Sequence, residues 1–143
     1  MKKYIKYLIL IFPYIVTVTY FILMYKEITL ITYLLIMIMP MIFSGIIIGL
    51  GYSKELFRER ANTMALLCTA IYFLYYILII EIIEKYKIYK FLYTNSKQLF
   101  VEGFSIGSKI STDIVDALLP CCMCFCIHRL CIKYSDKLKR KAK

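Results

Sequence analysis

Three stretches of almost unbroken apolar residues, 7–24, 29–51 and 63–80, and a fourth, less apolar one, 111–132, alternate with short charged segments along this chain. At ~1.5 Å per residue, a helix of such length covers most or all of a hydrocarbon core ~30 Å thick. The runs are apolar all round, with no polar stripe of helical period, so each reads as a helix that lipid or protein surrounds on every side. The pattern predicts an all-α polytopic integral membrane protein, in which four transmembrane helices form a single bundle over residues 1–143.

The first stretch follows a basic start and has only Thr17, Thr19 and a few tyrosines as polar relief. A cleavable signal would have an apolar part of about 7 to 15 residues and a small-residue cleavage site. No A-x-A pattern occurs, so a retained anchor is expected. Pro13 and Pro40 each remove one helical hydrogen bond, which bends rather than ends a helix in this setting. The turn at 25–28 is too short for anything but antiparallel neighbours.

Gly45 and Gly49 form a G-x-x-x-G that lets another helix backbone approach. Ala61, Ala65 and Thr69 recur every four residues at matching depth, and the match predicts a close hairpin of the second and third stretches through Gly45, Gly49, Ala65 and Thr69. Segment 52–60 is a charged connection, and Asn62 or Thr63 is the expected cap of the third helix. Segment 85–110, rich in Tyr, Phe and Lys at first, reads as an exterior loop lying at the membrane interface. Residues 133–143 form a basic tail.

Charge settles the orientation. Thirteen of the 19 bases, with Glu55, Glu59 and Asp136, fall on the side that carries both ends of the chain, and the remaining six bases are balanced by six acids on the other. By the positive-inside rule both termini are cytoplasmic, in a multi-pass protein of the cell membrane. The net charge of +10 is thereby explained by topology and by attraction to anionic inner-leaflet lipid, and nucleic acid is not an expected partner.

Candidate chemistry is confined to the fourth stretch, which holds five of the six cysteines and the single histidine. Cys121, Cys124, His128 and Cys131 share one helical stripe, and Cys122 and Cys126 form another i, i+4 pair. Packing is the plain role for such small, polarizable side chains. A metal site would need a ligand from a neighbouring helix, and Cys68 is placed for it; soft ligands of this kind select Cu(I) or zinc. His128, beside Arg129, is expected near the inner boundary.

Cys121 and Cys124 also form a C-x-x-C. Four spans with that pair in the last resemble the quinone-linked membrane thiol oxidoreductases of the vitamin K epoxide reductase type, which implies thiol-disulfide exchange. That family uses further cysteines in an exterior loop, and neither 25–28 nor 85–110 contains one. Asp113 and Asp116 read as solvated acids at the start of the fourth helix.

No nucleophile and base pair, phosphate loop or sizeable soluble domain is present, so no catalytic residue and no cofactor is expected. The expected function is that of a non-enzymatic membrane subunit, regulator or immunity-type partner that contacts another membrane protein, or itself, through its helices. The alternative is a thiol-redox or soft-metal handling protein that uses Cys68, Cys121, Cys124, Cys126 and His128.

Overall fold

A computed structural model describes residues 5–53, 60–96 and 114–141, and these are helix apart from short turns and the irregular Ile28, Thr29 and Arg60. Five helices follow one another: α1 (Ile5–Met24), α2 (Leu30–Ser53), α3 (Ala61–Lys85), α4 (Tyr89–Asn95) and α5 (Ile114–Lys141). Four of them contain stretches long and apolar enough to cross a membrane, Tyr7–Met24, Leu30–Gly51, Ala61–Lys85 and Ala117–Lys139. The fourth of these overlaps the expected 111–132, whose first residues lie outside the described ones, and α5 itself runs on through the basic residues to Lys141.

The helix ends follow local chemistry. Thr29 caps α2, its hydroxyl accepting from the Thr32 amide at 3.2 Å. The expected cap of the third helix is not formed: α3 starts at Ala61 after an extended Arg60 with no side-chain cap bond, and Asn62 and Thr63 lie exposed inside the helix. At its other end α3 runs past residue 80 and stops in a Schellman motif. Lys87 is left-handed at φ 52, Ile88 N–H reaches the Ile83 carbonyl at 3.0 Å, and Lys87 N–H reaches Glu84 at 3.2 Å. Ile83 and Ile88 are both buried in one cluster, the hydrophobic contact that accompanies this ending.

The motif turns the chain into α4, which closes over the α1–α2 turn. Asn95 Nδ2 donates to the carbonyls of Lys26 and Ile28 at 2.9 and 3.1 Å, and Ser96 Oγ accepts from the first amide of α2 at 2.7 Å. Tyr25 packs edge-on against Phe91 and at a tilt against Tyr86. This part of the expected interfacial segment is thus a structured cover. Segment 97–113, with Asp113, lies outside the described residues, as does the side chain of Asp116.

The helix pairing corrects the expected hairpin. The broadest packing is of α5 against α2 and then α3, whereas α2 and α3 scarcely touch. A Cβ built on Gly45 would come within 3.1 Å of Cys131 Sγ and 3.3 Å of Ile127 Cγ2; one on Gly49 would meet the Cys131 carbonyl oxygen at 3.3 Å. The glycines therefore admit α5, not α3. Ser44 meets His128 and Gly49 meets Ser135, partners 84 and 86 residues apart, and this near-constant offset makes α2 and α5 parallel and in register. On α3, Ala65 is buried and Thr69 half-buried; the Thr69 hydroxyl bonds the Ala65 carbonyl at 2.9 Å and lies within reach of Cys124 on α5. The small residues of α3 thus also serve the contact with α5.

Candidate functional site, a polar spine along the second helix

Three other helices send hydrogen bonds into α2, and each is explained by something α2 lacks or exposes. Pro40 has no N–H, so the Ile36 carbonyl one turn earlier loses its helical donor. Tyr75 on α3 supplies one, its hydroxyl donating to Ile36 O at 2.8 Å in a buried setting. Beside the glycines, where no side chain covers the backbone, Ser135 on α5 donates to the Gly49 carbonyl at 2.6 Å. Between these two points sits Ser44, fully buried, which joins α1, α2 and α5.

Tyr14 Oη lies 3.0 Å from Ser44 Oγ, and Ser44 Oγ lies 2.8 Å from His128 Nε2. On the far side of the ring, His128 Nδ1 is 2.6 Å from the Cys124 carbonyl oxygen of its own helix and 3.4 Å from Cys124 Sγ. A carbonyl oxygen only accepts, so Nδ1 carries the hydrogen and donates to it. The neutral ring is therefore the Nδ1–H tautomer, and its bare Nε2 accepts from Ser44. Tyr14 in turn donates to Ser44 Oγ. Every hydroxyl in the chain points the same way, from Tyr14 through Ser44 to His128.

The His128 ring is 0% exposed, enclosed between the helices. Ser44 stands seven residues before Gly51, the end of the apolar stretch of α2, which is ~10 Å along the axis. Arg129 points elsewhere, into a cleft with Lys133 and Asp136.

The same geometry decides what the cysteines can do. All six are free thiols; Cys68 and Cys124 are buried, Cys121 and Cys131 half-buried, Cys122 and Cys126 exposed. Of the candidate partners for Cys68, the structure brings Cys124 within electrostatic range and leaves Cys126 on the outer surface. Cys124 touches an imidazole, yet the nitrogen facing it already holds a proton committed to a carbonyl and cannot take the thiol's. Among the described residues no group of three or more His, Cys, Asp or Glu side chains is gathered for a metal ion.

Around this spine Tyr14, Tyr72 and Tyr75 pack as an aromatic cluster, with ring centroids 5.3 to 6.5 Å apart. The Tyr72 hydroxyl is buried and has no hydrogen-bond partner. On the outer side of the cluster, α1 and α3 diverge to leave an apolar groove of about 370 Å³, lined by Ile15, Val18, Ile71, Leu74 and Leu78 among others and open to the surroundings.

The sequence marks Gly45, Gly49 and His128 but not the Tyr14 and Ser44 hydroxyls that join them. A usable signal was there: Tyr14 follows Pro13 and Ser44 precedes Gly45, so each polar group adjoins a residue that only an interior face would favour. No protein-family model, curated protein or solved structure matches this chain.

Proposed function

We propose that the chain is a non-enzymatic protein of the cell membrane with both termini on the cytoplasmic face, a subunit, regulator or immunity-type partner that works through helix contacts. The observation that carries this reading is the division of labour between its faces. Glycines, hydroxyls and the imidazole are consumed inside the bundle, where they hold α5 to its neighbours. What remains outward is apolar: Leu8, Phe12, Leu23, Leu74 and Leu119 are each more than 60% exposed, a surface that water would not tolerate. α1 buries only 22% of its apolar stretch against the rest of the chain, which leaves most of that helix for lipid or for another membrane helix. The excess of basic residues at the ends of the chain supports the orientation and a contact with anionic inner-leaflet lipid.

Because the glycines already receive α5, self-association through the G-x-x-x-G is not part of this reading. The partner face is instead the outer side of α1 and α3. Mass measurement of the protein released from native membranes in lipid nanodiscs tests it. A stoichiometric complex with a second membrane protein or with itself is expected, and it dissociates when Leu74→Trp and Ile15→Trp fill the groove between α1 and α3. A monomer with full biological activity would refute the reading. A reporter fused after Lys143 is expected on the cytoplasmic face, and its appearance outside would overturn the orientation.

A further inference from the structure

We propose that His128 and Ser44 form a proton-binding site inside the bundle, one that takes up a single proton while leaving no hydrogen-bonding group of the site unpaired. Ser44 has one hydroxyl hydrogen and two acceptors within reach, His128 Nε2 at 2.8 Å and the Met41 carbonyl of its own helix at 3.1 Å. With a neutral ring the hydrogen goes to Nε2. A proton from water adds to the Nε2 lone pair, breaking no bond, and Nε2–H then donates to Ser44 Oγ. The Ser44 hydrogen turns to the Met41 carbonyl, and Tyr14 donates to Oγ as before. Oγ then accepts two hydrogen bonds and donates one, within the capacity of a hydroxyl. Nδ1–H keeps its bond to Cys124 in both states.

Among the described residues, no charged side chain bonds the ring. The ring bonds Ser44 of α2, which Tyr14 of α1 reaches in turn, and Cys124 of its own helix, while α3 places Cys68 and Tyr72 beside Cys124; none of these side chains carries a charge near pH 7 at its ordinary pKa. The nearest cations in sequence, Arg129 and Lys133, line a separate cleft with Asp136. A buried charge otherwise costs several kcal/mol unless hydrogen bonds receive it, and here three groups, Ser44, Met41 and Cys124, rearrange or remain to do so. Acid on the side from which water reaches His128 therefore changes the charge of the core without parting its helices.

The single histidine makes the test direct, since one ¹⁵N-histidine label gives one pair of ring signals. In lipid nanodiscs at alkaline pH, Nδ1 is expected to be protonated and Nε2 bare. On acidification both become protonated, with amide-exchange protection of α2 and α5 unchanged after correction for intrinsic rates. An Nε2–H tautomer at alkaline pH would overturn the proposal, as would a ring that stays neutral until exchange protection is lost. Ser44→Ala is expected to lose about tenfold of that protection on acidification, a tenfold change being ~1.4 kcal/mol, and Ser44→Thr to retain it. Equal acid resistance of Ser44→Ala would remove Ser44 from the site. Should Ser44→Ala fail to fold, the wild-type tautomer and Ser44→Thr carry the same decision.

Discussion

The seam between α2 and α5 and the face made by α1 and α3 are held by opposite means. In the seam, side chains are removed: two glycines let the backbone at Cys131 come close, Ser135 takes the Gly49 carbonyl, and Ser44 and His128 bond each other across it. On the other face, side chains are enlarged: three tyrosine rings fill the space, and beyond them the helices part to leave a groove. Close approach makes each atom of the seam matter, because no neighbour can retreat without moving a helix. The groove has room, and lipid can replace whatever is cut from it.

Substitutions sharpen that contrast, and stability in mixed micelles is a common scale for them. Gly49→Leu should have the largest effect, a loss of ~3 kcal/mol, because the new side chain meets backbone that cannot rotate away. Wild-type stability in that variant would mean that the seam is loose. Gly45→Ala meets the flexible Cys131 thiol instead, so its cost of ~1 kcal/mol should largely vanish in a Cys131→Ala background, whereas that of Gly49→Ala should not.

Tyr75→Phe orphans the Ile36 carbonyl and should cost ~1 to 2 kcal/mol. Pro40→Ala returns a helical donor to that carbonyl, so the double variant should recover most of the loss. Additive losses would show that the hydroxyl is not replacing the missing amide.

Tyr72→Phe deletes a buried hydroxyl with no partner and should be neutral or stabilising by ~0.5 kcal/mol. Smallest of all, Leu74→Ala in the groove should change stability by no more than ~0.5 kcal/mol. A loss of several kcal/mol there would erase the distinction between the two faces.

Much of the architecture was legible because lipid-like composition leaves a helix few alternatives. The starts and ends of the first two apolar runs agree with α1 and α2 to within a few residues. Partner choice was not legible. Spacing of Gly45 and Gly49 shows where a backbone can approach, but nothing in it says which helix arrives, and the neighbour in sequence was the wrong one. Pro40 announced an orphaned carbonyl; that a tyrosine 39 residues away would satisfy it is a property of the assembled bundle.

Local signals failed where the usual residue was absent. The left-handed position that ends α3 is filled by Lys87 rather than glycine, and α3 begins without the capping side chain that Asn62 or Thr63 promised. That the His128 ring turns into the bundle while Arg129 turns to an open cleft is likewise a matter of how α5 is rotated, which no neighbour in sequence announces.

The parallel seam also sets an order of events during synthesis. Ser44 and His128 are 84 residues apart, an interval of roughly 4 to 17 s for a ribosome adding 5 to 20 residues each second. Within that interval the end of α2 and all of α3 and α4 are made, while the glycine face, the Ser44 hydroxyl and the Gly49 carbonyl still await their partners. The helix that unites the bundle emerges after the other four, so a nascent chain halted before it would hold α1 to α4 with only their smaller contacts.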